Sequence, residues 1–425
     1  MDHGLKSRTK RSVLREPLAF GYLGLILFMA VYFLRPEDWI PGLIGIPLAK
    51  ITGILILLAM VFPALQIRWD LPQEIIFLTL LVAQLWVAAI FSPVWKGRAV
   101  GVIVDFSKVL PLVIVIYGVV RSMARLRWIL FVQAASVATI AMVSIISRQT
   151  TRGRLEGVLQ GIYRDPNDLA VVIDLALPLC LALALTTASL WKKLAWIVMM
   201  LAMIYAVFLT ASRAGAIAFA VATLMCVWKL GVQRRRLSLI LLIPLTVLVF
   251  WLYTGSLLRA RFEQRNEHQT SEAYDSSQGR LRLLTQSLKV TAQHPLLGVG
   301  PGNFEIVSGM WHVTHNTYTQ MSAEGGIPAF LFYVLIFWRA ICNLRVVGHS
   351  NTTRGIRPFS IALEASLAAY LVGSFFLTHG YELFPYCLVV YTSALLLIAR
   401  RDRLVSSREK RLHAPPPQVE ATVWQ

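Results

Sequence analysis

Apolar runs of about 18 residues or more recur along almost the whole chain, and this repetition limits the possible folds more than any other feature. A helix needs ~20 apolar residues to cross the hydrocarbon core, where backbone polar groups must be bonded within the protein. The runs fall at about Leu18–Leu34, Ile46–Leu65, Ile75–Phe91, Val100–Val120, Trp128–Ile146, Asp168–Thr187, Leu194–Leu209, Ala214–Trp228, Leu237–Tyr253, Ile327–Cys342, Phe359–Thr378 and Leu383–Ala399. The expected fold is therefore an all-α polytopic membrane protein with about 12 transmembrane helices and a large extracytoplasmic loop between helices 9 and 10. Composition agrees. Hydrophobic residues make up 56% of the chain and charged residues 15%, against roughly 45–50% and about 25% in soluble proteins.

The net charge of +19 is spread as short basic clusters between the apolar runs. That pattern encodes membrane topology and argues against nucleic acid as a partner. One side receives Lys6 to Arg15, Arg121 to Arg127, Lys192-Lys193, Lys229 with Arg234 to Arg236, Arg339 to Arg357, and the tail from Arg400. The positive-inside bias puts both termini in the cytoplasm. Four segments are expected: helices 1–9 over 1–253, an extracytoplasmic catalytic loop over 254–326, helices 10–12 over 327–399, and a basic, Pro-rich cytoplasmic tail over 400–425. The first apolar run ends in Arg35-Pro36-Glu37-Asp38 with no small-residue cleavage pattern, so it reads as a retained helix. Cys180, Cys226, Cys342 and Cys387 lie in or beside spans and form no CxxC, so neither a disulfide framework nor a zinc site is indicated.

The one long polar interval, Tyr253–Gly326, is where chemistry is expected. Its Arg259, Arg261, Arg265, Arg280, Arg282 and Lys289 oppose the topological rule. Two readings stand: a solvated face, since long loops translocate regardless of charge, and an anion site, since arginine matches phosphate with a two-pronged fork. Leu281, Leu284 and Leu288 have helical spacing, which predicts an amphipathic helix on the bilayer over Arg280–Val290, with Arg280 near its N-terminal end. Gly298-Val299-Gly300-Pro301-Gly302 lacks the GK[ST] of a phosphate-binding loop and follows no strand, so it reads as a tight re-entry turn.

His315, about one turn before a span, suits proton abstraction from a hydroxyl near neutral pH, with His312 and His294 as rivals. Glu324 either orients that imidazole or sits at the interface. Arg213 stands in a minimal turn between two spans, where a charge is a functional feature unless it snorkels to the surface. Asp165-Pro166-Asn167 is a turn and helix start, and Arg164 beside it is within reach of a diphosphate. Asp105 and Lys108, three residues apart, can neutralise each other. Asp174 and His379 have no local explanation. With Asp105 and Lys108, Asp174 also permits an alternative reading, a polytopic transporter of glycan or lipid-linked substrate.

The segment His315-Asn316-Thr317-Tyr318-Thr319-Gln320-Met321-Ser322-Ala323-Glu324-Gly325-Gly326-Ile327-Pro328 resembles the signature of the O-antigen ligase/polymerase superfamily, the Wzy-C group. Gly326 takes the first glycine position of that signature, and Ala329 replaces the second glycine. Gly279-Arg280, the stretch His294 to Phe304, Ser212-Arg213 and Asp165-Pro166-Asn167 also resemble family segments, in order, over residues 150–340. The resemblance implies a GT-C-type glycosyltransferase of the bacterial inner membrane that needs no metal and no cofactor. It implies a donor glycan on undecaprenyl diphosphate, and as acceptor a glycan, a lipid A core or a protein hydroxyl. It further implies His315 as catalytic base, with Arg280, Arg213, Arg164, Asn316 and Glu324 in the substrate-binding set.

Overall fold

The computed structural model describes residues 19–66, 70–151, 154–157, 163–230, 270–348 and 355–412. The described residues are almost entirely helical: α1 (Ala19–Leu34), α2 (Leu48–Gln66), α3 (Gln73–Ile90), α4 (Lys96–Ser107), α5 (Val109–Val119), α6 (Met123–Ser147), α7 (Pro166–Thr186), α8 (Leu190–Thr210), α9 (Arg213–Leu230), α10 (Thr270–Gln293), α11 (Thr317–Gly348), α12 (Arg357–Gly373) and α13 (Leu383–Leu412). The polar interval between α6 and α7 holds a two-residue antiparallel pairing, β1 (Thr150–Thr151) with β2 (Arg154–Leu155).

Nine helical stretches among the described residues are long and apolar enough to cross a membrane, which makes the chain a multi-pass membrane protein. Helices α2 and α12 stand where the second and eleventh spans are expected. The expected ninth span, Leu237–Tyr253, lies outside the described residues, as do Arg259, Arg261, Arg265 and the end of the tail. Helix α7 is enclosed by α6, α8, α9 and α12, and the side chains of its middle turns are buried almost all round. Asp174 on α7 is fully buried, and neither of its carboxylate oxygens has a hydrogen-bond partner. The expected fourth span is broken into α4 and α5 at Lys108, which is ion-paired with Asp105 three residues earlier.

Two expectations need correction. Arg280 does not lie near a helix start, because α10 begins at Thr270 and carries Arg280 in its middle. Among its described side chains Leu283, Ser287 and Val290 are buried, Leu283 and Val290 in one cluster with Phe304 and Ala323, while Leu281 and Leu288 are exposed. Packing against α11 therefore sets the inner face of α10, which the leucine spacing alone did not reveal. The second correction concerns the end of the polar interval. The turns from Thr317 to Gly325 are already helical, and Gly326 is a kink within α11 rather than a loop boundary.

The sequence explains the kink. Pro328 has no N–H, so the carbonyl of Glu324 loses its usual helical partner. Gly326 adopts φ 78°, and the Gly-rich turn supplies the missing bonds. Val299 N donates to Ala323 O and Gly300 N to Glu324 O, both at 2.9 Å, and Ile327 N donates to Pro295 O at 2.7 Å. Gln84 on α3 caps the seam, its side-chain amide reaching Leu296 O at 2.7 Å and Gly325 O at 3.0 Å. The turn is anchored on its other side as well. Asn303 donates to Ser92 Oγ at 2.8 Å, and Glu305 pairs with Arg98.

Gly326→Ala is expected to be severely destabilising. Its Cβ would stand 2.4 Å from the backbone of Leu296, at a φ that L-residues avoid. Backbone strain alone costs about 1–3 kcal/mol. A lower thermal midpoint and a lower yield of monodisperse protein in detergent would register it; an unchanged midpoint would contradict the packing described.

Candidate active site

Three helix N-termini meet at one end of the bundle. The first belongs to α7, where Asp165 accepts from Asn167 N at 2.6 Å and caps the helix as its Asp-Pro-Asn sequence predicts. The second belongs to α9, where Ser212 Oγ accepts from Gly215 N at 3.1 Å. These two ends are tied together: Ser212 Oγ donates to Asn167 Oδ1 at 2.8 Å, and Arg154 of β2 reaches both Asn167 Oδ1 and Thr210 O. The third belongs to α11, where Asn316 Oδ1 accepts from Tyr318 N at 3.0 Å and Thr319 N at 3.1 Å. Each N-terminus brings the positive end of a helix dipole, which attracts anions, although in α11 the N–H groups of Thr317, Tyr318, Thr319 and Gln320 are all bonded within the protein.

Arginines add charge to this end. Arg213 is the first residue of α9 and is exposed, while Arg280 approaches from the middle of α10 and is half-buried. Among the described residues neither guanidinium forms an ion pair. Burial lowers the pKa of Arg280, the charge of Arg213 lowers it further, and Asp165 opposes both. Two like charges with no ion-pair partner among the described residues suit an anionic ligand. Arg164 is exposed just before the N-terminus of α7.

His315 sits between these elements. It is half-buried in a left-handed backbone conformation with φ 50°, immediately before the α11 cap. Such conformations cluster at functional sites. Burial lowers its pKa below the ordinary histidine value, Arg280 and His312 lower it further, and Asp165 and Asp168 act in the opposite sense. The imidazole is therefore held neutral near pH 7, the form that accepts a proton. Residues more than a hundred positions apart thus share one electrostatic environment: Asp165 and Asp168 from α7, Arg213 from α9, Arg280 from α10, and His315.

Two other expected site residues are engaged elsewhere. Asn316 spends its side-chain oxygen on the α11 cap. Glu324 is only 3% exposed and faces the seam, where it accepts from Tyr381 OH at 2.7 Å and from Phe304 N at 3.4 Å. Its carboxylate ties the Gly-rich turn to the segment before α13, and no hydrogen bond links it to His315. Sequence reasoning missed one pairing at this end. His379 Nε2 lies 2.7 Å from Asp168 Oδ1, and the two residues are 211 positions apart, so no local pattern advertises them.

Residues 198–334 match the family described as O-antigen ligase (Wzy_C). The match spans Arg213, Arg280, the Gly-rich turn, His315 and the Gly326 kink, and no curated protein sequence matches the chain.

Asn316→Ala is expected to cost about 0.5–2 kcal/mol, the usual loss for an N-cap, while Asn316→Ser keeps most of the stability. Thermal melting of the two variants checks this. A Ser variant that melts like the Ala variant would remove the capping role.

Proposed function

We propose that this chain, which carries the O-antigen ligase domain, transfers a glycan from an undecaprenyl diphosphate carrier to a hydroxyl acceptor at the outer face of the bacterial inner membrane. The observation that carries the reading is the convergence of three helix N-termini, and of two arginines that form no ion pair among the described residues, on a histidine whose pKa is lowered by its surroundings. In this reading the polar interval is extracytoplasmic, both termini are cytoplasmic, and Arg164 is a third, exposed contributor to donor binding.

The diphosphate of the donor lies against Arg280, Arg213 and the positive ends of the helix dipoles, which stabilise the charge that grows on it as it leaves. His315 takes the proton from the acceptor hydroxyl as that oxygen bonds to the anomeric carbon. The bond from that carbon to the diphosphate oxygen breaks, and its electron pair leaves with the phosphate. Direct displacement inverts the anomeric configuration. The acceptor is a glycan, a lipid A core or a protein hydroxyl.

A strain lacking the gene, complemented with variants and examined by surface-glycan gels and mass spectrometry, tests the proposal. His315→Ala is expected to lose transfer by about 10²–10⁴-fold, the usual weight of a general base; full transfer by a folded His315→Ala protein would sink the assignment. Arg280→Ala and Arg213→Ala are expected to weaken donor use, and donor affinity equal to that of the unaltered protein would remove them from the site. Free long polymer in the deletion strain would indicate ligation to a separate acceptor, and single repeat units would indicate polymerisation.

The pH dependence follows from the same groups. A base works deprotonated, and the pKa of His315 lies below its ordinary value of 6.5. Transfer should therefore be flat across neutral pH and fall only on acidification below about 6.5, with one proton taken up. An acidic limb centred above pH 7 would contradict the assignment.

A further inference from the structure

The 374–382 segment that carries His379 is stitched to the segment that carries His315. Thr317 N donates to Ser374 O at 2.8 Å, Thr317 Oγ1 donates to Leu377 O at 2.7 Å, and His379 N donates to Thr317 Oγ1 at 3.1 Å. The imidazole of His379 is 5% exposed and packs edge-on against Phe384. Its Nε2 reaches Asp168 on the first turn of α7, three residues beyond the capping Asp165. The His379 carbonyl is itself fixed, accepting from Tyr370 OH and Glu382 N, each at 3.3 Å. A buried histidine thus holds one carboxylate of α7 in place, from a loop whose geometry is set by the loop of His315.

We propose that Asp168, clamped by His379, is the positioning carboxylate of His315: it presents a fixed negative charge that balances the arginines and favours the imidazolium formed when His315 takes the acceptor proton. This rests on the reading of His315 as the transfer base. With the Nε2 proton on His379, the bond to Asp168 is N–H donated to carboxylate, and it fixes where that carboxylate stands. A proton arriving on His315 meets Arg280 and His312, and Asp165 and then Asp168 act in the opposite sense, Asp168 being the one that a second histidine holds in place.

Several charged groups from neighbouring elements act on the residues around the pair. Arg280 of α10, His312 of the preceding loop, and Asp165 and Asp168 of α7 act on His315. Arg213 acts on Arg280. Glu382 is raised by burial and by Asp168, while His379 and Arg35 lower it. Arg35 is itself paired with Asp38. Asp168 is therefore the carboxylate that both acts on His315 and is bonded to a second, buried histidine.

The test is a carbon-13 NMR titration of full-length protein in lipid nanodiscs, labelled at histidine Cε1, with the His315 resonance assigned by its loss in His315→Gln. Asp168→Asn keeps the shape and removes the charge. It is expected to lower the His315 midpoint by roughly half a unit or more, because an opposite charge nearby favours the charged form. His379→Gln, which retains an N–H donor at the position of Nε2, is expected to leave the midpoint near that of the unaltered protein, and His379→Leu to displace it. A His315 midpoint unmoved by Asp168→Asn would overturn the proposal, even if the thermal midpoint fell, since a purely structural tie between α7 and the loop predicts that pattern. Equal displacement by His379→Gln and His379→Leu would overturn the clamp. The underlying reading fails on a different observation, a His315→Ala variant that restores the surface glycan, so the two failures are distinct.

Discussion

The seam between the Gly-rich turn and the kink at Gly326 is the interaction on which the rest of the site depends. A helix interrupted inside a membrane protein exposes carbonyls that no lipid can satisfy, and each one left unpaired is costly. Here Pro328 and Gly326 open the helix, and the backbone of 295–300 closes the account, with the amide of Gln84 taking the carbonyl of Gly325. The turn follows directly on α10, and the kink lies three turns into α11. One set of backbone bonds therefore fixes the helix carrying Arg280 against the helix that His315 introduces. Glu324 strengthens the same joint, bonded to Tyr381 on one side and to the turn on the other.

The seam positions a candidate site in which positive charge gathers, opposed by two carboxylates of α7. Helix N-termini are usually soothed by acidic residues, yet α9 opens with an arginine, and α10 places a second arginine close enough to be repelled by it. Such an arrangement is unfavourable when empty and becomes favourable once a polyanion arrives. Histidine fits beside it only in the neutral form, and neutrality is the state a base requires. The electrostatics that would bind a diphosphate and those that ready His315 are therefore one field. The carboxylates of α7 moderate it, so that the imidazole can still hold a proton when the reaction delivers one.

Much of this was legible from sequence, in proportion to how local its physics is. The Asp165-Pro-Asn helix start, the minimal turn at Arg213 and the Asp105–Lys108 pairing each depend on neighbours within a few residues, and each stands as read; span periodicity holds for the multi-pass helical architecture, with nine of the expected stretches long and apolar enough among the described residues. The position of Arg280 within its helix was not legible, because the inner face of α10 is chosen by Phe304 and Ala323, not by the spacing of its leucines. The residue types at 316 and 324 drew attention correctly, but their bonds serve a helix cap and a seam, which a sequence cannot distinguish from ligand contacts. The Asp168–His379 bond joins α7 to the segment before α13, and only tertiary packing brings these together.

The matched family region begins at residue 198, yet what holds the site in register lies partly outside it. Gln84 on α3 satisfies carbonyls on both sides of the seam, Ser92 receives Asn303 and donates to Val299 O, and Arg98 on α4 pairs with Glu305. Asp165 and Asp168 also precede the match, and His379 follows it. The N-terminal third, which carries no recognisable signature, therefore acts as a template for the Gly-rich turn, with contacts made largely by backbone atoms and small polar side chains. Contacts of this kind depend on shape and hydrogen-bond position more than on residue identity, so they leave little trace in a sequence pattern. The candidate site is a property of the whole bundle, and the recognisable segment is the part that holds Arg213, Arg280 and His315.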